Sequence, residues 1–234
     1  MKHLIETTNL SSLGIAEYDR LILDSAKNEI IYRGGVTYEY VDLGLSSGLK
    51  WAKCNIGATS ETDYGDYFMW GSTTPNTNTT CNWANAPFNN KSSSYNETYF
   101  NSVKDTVCPK GVLAKKYDAA SQIMGGDWRM PTKAEFQELL SGTTNEWIAD
   151  YDGTGVSGRK FTSKTNGKSI FFPANGHASG TEVYNRGTYG KYWSSSLSPS
   201  RSNYGLHLNF NSGYIDPQYD DRRYFGFCVR GVFK

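Results

Sequence analysis

The chain has 234 residues, of which 24 are Lys or Arg and 23 are Asp or Glu, a formal net charge of +1. That balance excludes a binder of duplex DNA or of anionic membrane, which needs a basic excess, and 15% aromatic residues against 20% charged ones exclude bulk disorder. The composition of a helical bundle or coiled coil is absent too, so 24 glycines and 17 tyrosines point to a loop-rich fold with modest helix.

The opening residues, MKHLIETTNLSSLG, have a basic start but no apolar core, so no secretory signal is expected. No run approaches the ~18 apolar residues of a membrane span. A place outside the cell would then call for a virion or a non-Sec route of export. Residues 1–37 read as an N-terminal extension. Leu21-Ile22-Leu23, polar residues 24–29, and Ile30-Ile31-Tyr32 before Gly34-Gly35 predict a hairpin. It is either an assembly element, through which the chain would oligomerise, or an extra hairpin on the main domain.

From residue 38 to 234 the pattern is continuous. Tyr38 to Leu43 alternates like a strand, Leu49 to Ala52 is a second short strand, and aromatic-dense Asp63 to Gly71 belongs in the core. Residues 72–102, rich in Asn, Ser and Thr, read as a long surface loop held down by Trp83, Phe88, Tyr95, Tyr99 and Phe100. Two helices are expected. One runs from Gly111 to Met124 and stops at Gly125-Gly126. The other begins at Pro131-Thr132, where Thr132 and Glu135 have the spacing of a capping box, buries Phe136, Leu139 and Leu140, and ends at Gly142. Beyond Gly142 the chain reads as short strands and turns.

Residues 184–227 carry the functional signal. Tyr occurs seven times, Ser seven, Gly five and Asn four, with no Glu and Lys191 as the one lysine. This is paratope-like: Tyr supplies large contact area at small entropic cost, and Ser, Gly and Asn supply adaptable hydrogen bonds. In GLHLNFN, Leu206, Leu208 and Phe210 alternate with His207, Asn209 and Asn211, predicting one apolar and one polar face. Phe225, Phe227 and Val229 alternate likewise with Cys228 and Arg230 opposite. The stretch between, Asn211 to Tyr224, reads as turn-rich and chemically mixed, with three acids, two arginines and three tyrosines.

The segments GLKWAKCNIGA, YGDYFMWG, GGDWRMPTKAEFQELL, YWSSS and GFCVRGV resemble the Fibrobacter-type major paralogous domain. The tail from Arg186 onward is similar to the variable region of diversity-generating retroelement proteins. The resemblance covers residues 38–234 and implies an α+β, C-type lectin-like fold of the formylglycine-generating-enzyme subgroup, with two helices, short mostly antiparallel strands and long ordered loops. It implies that Tyr189, His207, Asn209, Asn211, Tyr214, Asp216, Tyr219, Asp220, Asp221 and Tyr224 are products of randomised Asn codons facing outward. Trp193, Leu206, Leu208, Phe210, Phe227 and Val229 would then be invariant scaffold. Together with Lys191, Ser202, Asn203 and Phe225, the outward residues form the expected binding surface for a protein or glycan receptor, as in phage attachment or cell-surface contact. A fixed carbohydrate-binding module using Trp83 and Tyr95, or a structural virion or fimbrial subunit, are the alternatives.

No enzyme is expected. The oxidase activity of that subgroup uses paired cysteines near the C-terminus, and Cys228 stands alone there. Cys54, Cys81, Cys108 and Cys228 form no CxxC pair; buried free thiols are the simplest state, though four cysteines permit three pairings in an oxidising compartment. Of three histidines, His177 in NGHASG reads as a structural loop residue and His207 as a ligand contact. Asp150, Asp152 and Asp220-Asp221 offer oxygen ligands, but Asp152-Gly153 reads as a turn and the Glu-Pro-Asn and Trp-Asn-Asp sugar signatures are missing. No metal or cofactor is expected.

Overall fold

In the computed structural model, residues 38–77 and 79–234 are described in full; of residues 1–37 it describes only the backbone of strand segments 3–4, 21–23, 30–33 and 36–37. Those segments are β1 (His3–Leu4), β2 (Leu21–Leu23), β3 (Ile30–Arg33) and the start of β4 (Val36–Tyr38), paired antiparallel in the order β1-β2-β3-β4. The expected hairpin is the β2–β3 pair, with Leu21 opposite Ile31; Gly34-Gly35 and the polar connection 24–29 lie outside the described residues.

The strands β5 (Tyr40–Asp42), β6 (Lys50–Ala52) and β7 (Phe68–Met69) follow. Next comes a helix that the composition hid, α1 (Glu97–Val107), in place of the end of the expected loop. Its Asn96 side chain accepts a hydrogen bond from Tyr99 N at 3.0 Å, and Phe100 and Val107 turn inward. The loop before it is tied by Asn89, fully buried, whose amide donates to the carbonyls of Trp83, Ser92 and Ser94 and whose oxygen accepts from Asn96 N. Tyr99, expected to pin the loop, is exposed instead.

The expected helix from Gly111 to Met124 is broken. Two short 3-10 turns precede α2 (Ala119–Ile123), because Asp118 leaves helical geometry to cap Ser121 N and to accept Met130 N with both oxygens. The third helix, α3 (Lys133–Gly142), forms as its spacing predicts. Thr132 accepts from Glu135 N and Glu135 accepts from Thr132 N, with Phe136 and Leu139 buried. At its last residue a Cβ on Gly142 would meet Leu45 at 2.4 Å, so this glycine serves close packing there. The molecule is thus mixed α/β with three α-helices, not two, among the described residues.

Past α3, strands β8 (Thr143–Ile148), β9 (Gly158–Ser163) and β10 (Ser169–Pro173) form an antiparallel meander. Asp152-Gly153 makes a turn, both residues having positive φ. Then come β11 (His177–Ser179), β12 (Glu182–Tyr184), β13 (Gly190–Leu197), β14 (Tyr204–Phe210), β15 (Ile215–Arg222), β16 (Gly226–Phe227) and β17 (Val232–Phe233). They build three small sheets ordered β12-β11-β16-β7, β13-β14-β15 and β17-β6-β5. The expected turn-rich segment is therefore largely the strand β15. Pro217 is tolerated because β15 is an edge strand and the ladder slips by one residue between His207 and Asn209.

The sheet β13-β14-β15 lies between two cores. Tyr192, Leu208 and Phe210 join a cluster with Trp51, Phe136, Leu139, Phe161 and Phe172. Trp193 joins a second cluster with Trp70, Phe100, Trp128, Phe227 and Val229. Burial from both sides explains why β14 does not show the solvent face its alternation predicts. His207 and Asn209 are as buried as their apolar neighbours. Cys228 and Arg230 are buried as well. The Arg230 guanidinium donates to Asn55 Oδ1 and to the carbonyls of Ala52, Lys53 and Phe171, and lies 4.4 Å from the Phe172 ring centre. The four cysteines are free thiols, three of them buried and Cys54 partly so. No helix among the described residues is long and apolar enough to cross a membrane.

Candidate ligand-binding surface

Antiparallel pairing decides which of the expected contact residues share a face. Opposite one another stand Lys191, Asn209 and Asp216, then Trp193, His207 and Tyr219, then Gly205 and Asp221. These residues share the side of the sheet that carries Trp193. Asp220 pairs with Leu206 and lies on the other side, where its carboxylate accepts from Ser198 and forms an ion pair with Arg201. It leaves the expected set for that reason: a one-residue step along a strand changes sides.

On the Trp193 side an aromatic platform runs across two sheets. Tyr184 meets His177 at 5.7 Å between ring centres, His177 meets Phe225 at 5.3 Å and Phe227 at 6.3 Å, Phe227 meets His207 at 4.6 Å, and His207 meets Tyr219 at 5.5 Å. Phe225 continues to Tyr224, Tyr224 to Trp83, and Trp83 to Tyr95. Lys191 threads this surface, its Nζ 2.9 Å from Asp221 and 5.1 Å from the Phe227 ring centre. Both charged side chains are mostly covered, so solvent and salt screen this pair less than an exposed one. Tyr184 and Tyr219 stand 49% and 44% exposed, while His207, in ring contact with Tyr219, is 0% exposed. His207 and Asn209 are therefore floor, not outer surface.

The remaining expected residues lie toward the ends of the sheet. Asn211 and Tyr214 form the β14–β15 turn, with Asn211 N donating to Tyr214 O and the Tyr214 hydroxyl donating to Asp216. Tyr189 precedes β13, its backbone bonded to Asn185 and Gly176. At the opposite end Ser202 accepts from the Tyr95 hydroxyl, and the Asn203 carbonyl accepts from Arg223 N. Arg223 is core rather than surface. It is fully buried, with its guanidinium 3.9 Å from the Phe100 ring centre, and burial pushes its pKa down to about 10.

Sequence pattern missed His177 and Tyr184 as members of the platform. Tyr184 lies inside the tyrosine-rich window, so composition held the signal. His177 sits on β11 rather than in a loop, and it joins only through its pairing with β12 and β16. Burial, then the nearby Lys191 charge, lowers the pKa of His177, and the same causes hold His207 well below the usual histidine range. The described residues contain no group of three or more His, Cys, Asp or Glu placed to hold a metal ion.

The Lcl C-terminal domain is the family whose model matches this chain, over residues 43–230. The chain belongs to that family. No curated protein and no solved structure matches it. The matched span of the Lcl C-terminal domain takes in the whole platform, from Trp83 to Phe227, and leaves residues 1–42 outside.

Proposed function

We propose that this protein is a non-enzymatic receptor-binding protein that recognises a protein or glycan on a cell surface through the Tyr184–Tyr219 platform. Its fold is read as C-type lectin-like and its C-terminal region as diversified by a retroelement, serving phage or cell attachment. One observation carries this. Of the five exposed large apolar side chains among the described residues, Val183, Tyr184, Tyr214 and Tyr219 lie on β12, on β15 or at its start. Two of these, Tyr184 and Tyr219, are linked by ring contacts through His177, Phe227 and His207, and exposed aromatic rings set on a shared floor favour an interaction surface. The floor below is stiff and closely packed, which suits a recognition face whose outer residues change. Burial pushes the pKa of the Cys228 thiol up to about 12, which disfavours the paired-cysteine oxidase chemistry at this residue.

The test is an array of cell-surface proteins and glycans probed with the purified chain, repeated with Tyr219→Ala and Tyr184→Ala. A hit lost in both variants while each stays folded supports the reading; a hit that survives both overturns it. The contact of Trp83 with Tyr95 and Tyr224 favours a second reading, a fixed carbohydrate-binding module. A template repeat of the gene's 3′ end, differing at adenines beside a reverse transcriptase gene, separates the two.

A further inference from the structure

Four buried polar atoms without a hydrogen-bond partner gather under the centre of the platform: Nδ1 of His177, both ring nitrogens of His207, and Oδ1 of Asn209. Buried polar groups are nearly always partnered, so such a cluster has a cost that a function would offset. Lys191 lies among them. Its Nζ and the rings of His207 and His177 all approach the same Phe227 ring, at 5.1, 4.6 and 6.3 Å from its centre. Three groups able to carry positive charge thus surround one apolar ring.

The groups facing the two histidines come from every neighbouring strand. β13 brings Lys191 and Trp193; β15 brings Tyr219, Asp221 and, opposite Asn209, Asp216; β12 brings Tyr184; the turn before β16 brings Phe225 and β16 itself Phe227. Asp221 is already engaged by Lys191, and Asp216 accepts from the Tyr214 hydroxyl. A second cation in this floor would therefore meet Lys191 without a free carboxylate beside it.

We propose that His177 and His207 form an acid-sensitive latch beneath the recognition face, with Tyr219 as its cover. While both imidazoles are neutral the floor stays dry and the platform closed. A proton on His207, set beside the Lys191 ammonium, drives Tyr219 outward so that water reaches the imidazolium. Acid would then release a bound partner; that consequence rests on the recognition reading, whereas the latch is a property of the ligand-free chain. The neutral ring is the form the fold favours, so the latch stays shut until the pH falls below the ordinary histidine value of about 6.5.

The ligand-free full chain is followed from about pH 7.5 to about pH 4 by imidazole NMR and by amide hydrogen exchange along β14 and β15. There are three histidines, so the resonances assign readily once His3→Gln is compared. The expected result is that amides around His207 and Tyr219 exchange about tenfold faster, beyond the intrinsic pH effect, as His207 gains its proton. His207→Phe abolishes that gain. Lys191→Met moves the opening up by about one pH unit, and it decides the matter where His207→Phe does not fold. The latch is overturned if β15 keeps its protection while His207 protonates, or if Lys191→Met leaves the opening pH unchanged. Opening that spreads equally through β8, β9 and β10 is global unfolding and overturns it too. A chain that opens as described but loses no partner on Tyr219→Ala overturns the recognition reading alone.

Discussion

Tyr219 and His207 face each other across one rung of the β14–β15 ladder, yet one is open to solvent and the other sealed. A residue's part in recognition follows from that difference. Truncating Tyr219 removes both its exposed area, which the proposed partner would use, and the part of its ring that covers His207. Tyr219→Ala is expected to weaken partner binding by ~2 kcal/mol while the chain stays folded with a modestly lower melting temperature; titration calorimetry and thermal melts check this. Tyr214→Ala, at the turn, should also leave the fold intact. Arg230 is the opposite case. Its guanidinium fork satisfies three carbonyls and one side-chain oxygen in the core, a geometry an ammonium cannot copy. Arg230→Lys should lose about 3 kcal/mol of unfolding free energy in urea titrations, because carbonyls are left without donors.

Among the elements, α3 and β14 show how far local pattern reaches. The Thr132–Glu135 spacing alone is enough to start α3, since both capping bonds are made within one turn. Thr132→Ala is expected to cost about 1 kcal/mol in the same titration. In β14 the alternation of apolar and polar residues is correct as strand geometry and misleading as exposure. A second core covers the side where His207 and Asn209 lie. Phe210→Ala should cost ~3 kcal/mol or more, since Phe210 is fully buried between Trp147 and Tyr192 and its loss leaves a cavity there. The polar composition of α1 resembles a loop, and what anchors it is buried Phe100 and Val107 with Val103 packed beside them.

For the whole molecule, the pH dependence of stability has a definite sign. His177 and His207 have lowered pKa values in the folded chain, so the unfolded chain binds their protons more readily. Their contribution is complete above about pH 6.5 and is lost as the pH falls below it. Glu135 and Glu138 are also lowered in the folded chain, despite the opposing effect of burial, because Arg129 with Thr132 and the Ser46-Ser47 turn bond their charged forms. They add a further loss below their ordinary value of 4.5. Asp118 and Asp66, raised by burial, act in the opposite direction. The histidine contribution by itself should therefore lower the midpoint of urea unfolding from pH 7 toward pH 5, and His207→Phe should reduce that fall. Thiol labelling gives a second global check. In the native chain a thiol reagent should modify Cys54 alone, and all four cysteines once denaturant is added.

What sequence by itself determined here is local: the capped helix α3, the β2–β3 hairpin, and the tyrosine-rich window in which the proposed recognition surface lies. Each depends on neighbours a few residues apart or on composition. Tertiary structure decided which side of each strand meets water, that Arg223 and Arg230 belong to the core, and that His177 on β11 joins Tyr219 on β15. The physical reason is that exposure depends on what covers a strand from above and below. At β14 that cover comes from α3 on one side and from β16 on the other, segments far from it in chain order or across a turn, so alternation along one strand carries no record of them.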